Sequence, residues 1–142
     1  MNVRLAAAAL WGAAVAAVWA QGGVTVRDGV YSSAQAERGK ANYSVYCRAC
    51  HSEDLSGGSD GGDPAPALRT SDFGLKRRDL GNLYGYIRKA MPRDDPGSLT
   101  STMTADIVAY LLQANGFPPG ESELPAGQDA LSQIRIVRPD GR

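Results

Sequence analysis

Cys47-Arg48-Ala49-Cys50-His51 holds the residues of this chain best suited to chemistry: two cysteines three apart, with a histidine directly behind the second. That spacing is the covalent attachment signature of a c-type haem. On one helical turn the two thiols can reach the two vinyl groups of a single porphyrin. His51 is then pinned against the haem face, where its imidazole becomes the proximal iron ligand. Cys47 and Cys50 are the only cysteines, and His51 the only histidine, in 142 residues. Three other chemistries use part of this set. A thioredoxin-like C-x-x-C sits in a βαβ pattern, but no apolar strand precedes Cys47. A structural zinc site needs four N or S ligands, so a carboxylate would have to complete one here. A plain disulfide leaves the position of the lone histidine unexplained.

The next donor to look for is a thioether, a soft ligand that closes the sixth position of a haem opposite histidine, raising its potential and excluding small ligands. Met91 stands before Pro92 and a loop of Arg93-Asp94-Asp95-Pro96-Gly97. Met103 is its rival, and a five-coordinate iron is the remaining option. With no second histidine, bis-histidine ligation within the chain is excluded. A metal-bound histidine usually donates its other ring N–H to a carbonyl. The stiff segment Pro64-Ala65-Pro66-Ala67-Leu68 is suited to offer one, and Pro66 is the candidate. The plainer reading is that these prolines only stiffen a loop. No residue is assigned a catalytic role.

These residues must be placed by short elements. Residues 1–20 read as an export signal, with Arg4 before the apolar run Leu5 to Trp19 and cleavage after Val18-Trp19-Ala20. The run is shorter than the roughly 20 residues of a spanning helix, so no stable membrane anchor is expected. Export agrees with the motif, because c-type haem is joined to the chain outside the cytoplasm. Residues 21–32 form an irregular lead-in. A helix is predicted from Ser32 or Ser33 to about Tyr46, with Ser32 and Gln35 as a capping box and Ala36, Gly39, Tyr43 and Tyr46 on one face. Gly39 in mid-helix costs roughly 1 kcal/mol against alanine, which demands a reason such as the close approach of another helix.

After His51 the glycines of residues 54–63 exclude regular structure. Without Gly-Lys-Ser/Thr or a preceding strand they are a poor phosphate loop. Lys76-Arg77-Arg78 reads as a solvated face or a dock for an acidic partner. A second helix is predicted from about Leu80 to Ala90, burying Leu83, Ile87 and Ala90 and stopping at Met91-Pro92. The last long helix runs from Thr100 or Ser101 to about Ala114, with Ile107, Val108, Tyr110, Leu111 and Leu112 apolar and Asn115-Gly116 as its stop. The tail, 117–142, carries a short helical possibility at Asp129 to Ile134. Leu124, Leu131, Ile134 and Ile136 can lie against the domain, and Arg138 to Arg142 fray. The length suits one domain. Fifteen basic and fifteen acidic residues cancel, giving no sign of a nucleic-acid partner.

Over roughly residues 33–116 the chain resembles class I c-type cytochromes, through Gly39-x-x-x-Tyr43, Cys47-x-x-Cys50-His51, Ala65-Pro66-Ala67-Leu68, Met91-Pro92 and Ile107-x-x-Tyr110. The resemblance implies an all-α cytochrome c fold, three to five short helices and long loops wrapped around one covalent haem c. It implies that Gly39 and Tyr43 cross the last helix at Ile107 and Tyr110, and that a proline carbonyl bonds the haem histidine. Ala65 stands where many members carry glycine. Met91-Pro92, Pro96-Gly97-Ser98-Leu99 and Ala109 to Pro118 also look like bacterial cytochromes often associated with periplasmic quinoprotein (PQQ) dehydrogenases. The implied protein is a periplasmic, monomeric, non-enzymatic carrier of single electrons in a respiratory chain. Its iron, on His51 and Met91, cycles between Fe(III) and Fe(II), with a quinoprotein dehydrogenase as donor and an oxidase or another cytochrome as acceptor. The alternatives are a haem subunit of an oxidoreductase complex and a five-coordinate haem protein with an open site.

Overall fold

In the computed structural model, which describes residues 23–58 and 65–137, Ser32 opens the first helix. Its backbone is extended, its Oγ accepts the Gln35 N–H at 3.1 Å, and α1 runs Ser33–Tyr46. The returning half of the capping box is not made. Gln35 is only 2% exposed, and its amide exchanges two hydrogen bonds with the Leu124 backbone instead, Nε2 donating at 3.1 Å and Oε1 accepting at 2.7 Å. A buried amide must satisfy both its ends, and the tail offers a donor and an acceptor together. Ala36, Gly39 and Tyr43 are buried, whereas Tyr46 is 38% exposed and leaves the expected stripe.

The fourth helix, α4 (Ser101–Ala114), is capped by Thr100, whose Oγ1 accepts the Met103 N–H at 3.2 Å. It packs on α1 at Gly39. A Cβ there would overlap the Asp106 carbonyl oxygen and come within 2.9 Å of the Tyr110 Cβ. The glycine thus meets Asp106 and Tyr110, one turn apart on one face of α4, where Ile107 and Tyr110 were expected. The Tyr43 and Tyr110 rings follow at 5.3 Å between centroids, tilted by 56°. Beside the crossing, Arg38 grips both Asp106 carboxylate oxygens at 3.2 Å and reaches Glu123 in the tail at 2.8 Å.

Between these helices lie α2 (Arg48–His51), a 3-10 turn at Leu75–Arg77 and α3 (Leu80–Ala90), the last capped by Asp79. Leu83 and Ile87 of α3 are buried and Ala90 is half-buried; Leu80 and Tyr84 bury a second side that periodicity did not single out. Gly81 and Gly85 form a flat seat for α5 (Gln128–Leu131): a Cβ on Gly81 would overlap Ser132 Oγ, and one on Gly85 would lie 2.8 Å from Gln128 Oε1. The helix in the tail ends earlier than expected, because Ile134 turns to give its carbonyl to the Leu80 N–H at 2.9 Å. Arg135 bridges to the lead-in, accepting from Val26 at 3.0 Å and donating to Val24 at 2.9 Å. The Tyr31 hydroxyl donates to Phe117 O at 2.7 Å. Among the described residues there are isolated bridges but no β-strand, and no helix is long and apolar enough to cross a membrane.

The basic cluster is partly built into the fold. Arg77 stacks 3.7 Å above the Tyr86 ring, and the Arg78 carbonyl accepts from Ile136 at 2.8 Å. The proposed export signal, residues 59–64 in and after the glycine-rich loop and the last residues of the tail lie outside the described residues.

Two outcomes follow from the α1–α4 contact. Gly39→Ala must push the helices apart, and overpacking of this kind costs about 1–3 kcal/mol, read as a lower urea midpoint. The second concerns acid. Arg38 holds the Glu123 carboxyl below its ordinary value of 4.5. A depressed folded-state pKa contributes stability that is present above the unfolded value and lost as pH falls through the folded one. Wild-type stability therefore declines below about pH 4.5, and Glu123→Gln flattens that part of the profile in acid-unfolding titrations.

Candidate functional site

Cys47 ends α1 and starts α2. Its N–H donates to Tyr43 O at 2.9 Å, and its own carbonyl accepts from Cys50 at 3.2 Å and His51 at 2.9 Å. The three motif residues therefore share one turn of backbone, held at the end of a helix that is itself seated on α4. Cys47 is half-buried against the core, Cys50 is exposed, and the two are not paired with each other. Burial, helped by the neighbouring Cys50, pushes the Cys47 thiol up to about 11. A redox-active C-x-x-C works by the opposite shift, toward thiolate. Among the described residues no three or more His, Cys, Asp or Glu side chains are grouped to hold a metal ion.

His51 is 7% exposed, and its Nδ1 lies 2.9 Å from the Pro66 carbonyl oxygen. A carbonyl can only accept, so the bond assigns the proton to Nδ1 and leaves the Nε2 lone pair free for a metal. This is the arrangement a ligating histidine requires. The loop that presents Pro66 is clamped from several directions. Gly57 donates to His51 O at 3.0 Å, Gly58 to Ala65 O at 2.9 Å, and Leu68 to Leu55 O at 2.8 Å. Gly57 has φ +77°, and a Cβ on it would lie 2.6 Å from both Ala65 O and Ala67 N. From the other side Asn115 accepts the Thr70 N–H at 3.1 Å and donates to Leu68 O and Leu111 O, each at 2.8 Å. Sequence reasoning treated Asn115 only as a helix stop. No local pattern marks it as the tether of the loop beyond the histidine.

Met91 is the first residue past α3, with φ −124° and ψ 150°, its N–H still donating to Ile87 O at 3.0 Å. The loop after it is tied back to α3 by Arg88, whose Nη1 donates to Leu99 O and, at 3.3 Å, to Gly97 O. Met103 lies inside the first turn of α4. Both thioethers are half-buried against the core. The structure thus brings Cys47, Cys50, His51 and Pro66 into one turn and one loop, and sets Met91 and Met103 at the edge of the same core. Two unpaired thiols one turn apart, an imidazole with its Nε2 free and a soft thioether fit a covalently held haem c.

Helical architecture and donor set together define the class: an all-α cytochrome c domain, a haem electron-transfer protein. Residues 34–111 match the family described as Cytochrome C oxidase, cbb3-type, subunit III, and the chain belongs to that family. A chain of the sulfane dehydrogenase SoxCD from Paracoccus pantotrophus is similar in structure, at 22% sequence identity and a TM-score of 0.49, over 84% of this chain. This chain spans 63% of the length of that one. None of the curated protein sequences compared with it matches.

Asn115→Ala leaves the Thr70 N–H and the Leu68 carbonyl without their partner, while Leu111 O keeps the backbone N–H of residue 115 at 3.1 Å. An orphaned buried group costs about 1–3 kcal/mol, and these half-buried ones fall at the lower end. The substitution is expected to lower the thermal midpoint and to speed exchange of the Thr70 amide in hydrogen-exchange measurements.

Proposed function

We propose that this chain is a periplasmic cytochrome c that carries single electrons, with one haem c per chain that Cys47 and Cys50 would hold as thioethers and His51 and Met91 would serve as iron donors. The observation that carries the reading is the 2.9 Å contact between His51 Nδ1 and the Pro66 carbonyl, which fixes the ring and its tautomer with Nε2 left to donate. When bound, the haem supplies a one-electron Fe(III)/Fe(II) couple. The protein's part is positional. Cys47 and Cys50 fix the group to the end of α1, and Pro66 keeps the imidazole from rotating. Met91 offers its sulfur from extended backbone beyond α3, on a loop anchored by Arg88. Met103, in the first turn of α4 and half-buried like Met91, is the rival donor. With His51 and Met91 both donating to the iron, the chain would leave no position open for substrate, so it would move electrons rather than perform bond chemistry.

The apolar run at residues 1–20 supports export, and the mature chain is read as a lead-in (21–32), a haem domain (33–116) and a tail (117–142), acting as a monomer. Its partners are redox proteins. The sequence resemblance around Met91-Pro92 and Ala109 to Pro118 favours a quinoprotein dehydrogenase as donor, with an oxidase or another cytochrome as acceptor. The family's description as an oxidase subunit favours a second reading, in which the same site serves as the haem subunit of an oxidoreductase complex. Co-purification of the native protein with a catalytic subunit distinguishes the two.

The ligation is tested on the holoprotein by absorption spectroscopy and redox titration. The oxidised wild type is expected to show the methionine-to-iron band. Met91→Ala should abolish the band and lower the potential, since thioether ligation raises it, while Met103→Ala should keep both. A band that survives Met91→Ala would overturn the assignment.

A further inference from the structure

Ser52 directly follows His51 with φ 64° and ψ 158°, a backbone region occupied almost only by glycine. Such strain persists only where the surroundings over-determine it, and it concentrates at functional positions. Every polar group of Ser52 is engaged. Its N–H donates to Arg48 O at 2.9 Å, its carbonyl accepts the Tyr43 hydroxyl at 2.7 Å, and its Oγ donates to Gly57 O at 2.9 Å. Tyr43 is buried in the α1–α4 contact, so its hydroxyl must find a partner inside, and that partner is the strained residue.

Gly57 is the other end of the clamp. It donates back to His51 O at 3.0 Å, and the space where its Cβ would stand is filled by Ala65, Pro66 and Ala67, with Pro66 C at 2.7 Å. Gly57 is thus packed directly against the backbone that carries the Pro66 carbonyl. Tyr43, Ser52, Gly57, Pro66 and His51 form a closed circuit that starts on the rigid helix and returns to the imidazole. Glycine at position 52 would adopt the same backbone without strain, but it has no hydroxyl to hold Gly57.

We propose that Ser52 is a positioning residue for the histidine: its hydroxyl holds Gly57, and through Gly57 the Pro66 carbonyl, where it sets the strength of the His51 Nδ1–H hydrogen bond. The inference rests on the reading of His51 as the iron ligand. A firm bond at Nδ1 makes the imidazole more basic and favours the oxidised metal, so loosening it shifts the reduction potential upward.

The test uses purified holoprotein with Ser52→Ala and Ser52→Gly, reading the reduction potential and the solvent exchange of the His51 Nδ1 proton by NMR. Both variants lose the hydroxyl, and only glycine relieves the backbone. Both are expected to raise the potential and to speed exchange roughly fivefold, the equivalent of one hydrogen bond, with Ser52→Gly melting at the higher temperature. If Ser52→Ala does not fold, Ser52→Gly carries the test alone. A merely structural role would leave Ser52→Gly at the wild-type potential and exchange rate, and that result overturns the proposal while the His51 ligation stands. A wild-type holoprotein without histidine-ligated low-spin iron overturns the ligation reading and this proposal together.

Discussion

Where α1 passes α4, the backbone of Gly39 lies against the Asp106 carbonyl, and only an unsubstituted Cα lets the two helices come so close. A glycine in mid-helix weakens α1 by roughly 1 kcal/mol; close packing and the tilted Tyr43–Tyr110 pair offset that loss. The same crossing buries the Asp106 side chain to 5% exposure, and a buried charge is tolerable only when paired, which is the work of Arg38. Because α1 runs without a break from this contact to Cys47, the seat of one helix on another decides where both thiols and His51 stand.

The site itself is made by loops. His51 is polar and nearly buried, so its Nδ1 must find a partner, and a proline, which has no backbone N–H of its own to compete, supplies a carbonyl. Holding that carbonyl still takes glycine at 57, a strained serine at 52, and Asn115 reaching across from α4. No buried side-chain N or O atom among the described residues lacks a hydrogen bond. The hydrogen bonds around Nδ1 of the histidine form a connected network, and connected networks hold geometry better than single bonds do.

The segments flanking the helices close on one another. Val26, Tyr31, Phe117, Leu124, Leu131, Ile134 and Ile136 are all buried, and they join the beginning of the described chain to its end. The tail covers the flat glycine face of α3, which no neighbour in sequence could fill. Arg38 links this layer to the α1–α4 contact through Glu123, so the tail and the helix that bears the haem motif share one guanidinium.

What the sequence determined alone is what depends on near neighbours along the chain. Ser32 and Thr100 cap their helices because a cap needs only the next three residues. The Cys47-to-His51 spacing is a one-turn pattern, and Pro92 ends α3 through its own ring. Gly39 could be read as needing a close partner, since its local cost is plain. Which partner it has was decided by the tertiary structure, which presents Asp106 rather than Ile107. Likewise Gln35 serves Leu124, 89 residues away, in place of its local cap, Asn115 holds Thr70 across 45 residues, and Ser52 takes a backbone conformation its own type disfavours. A buried hydrogen-bonding group pairs with whatever the packed chain brings within about 3 Å, and sequence separation does not enter that choice.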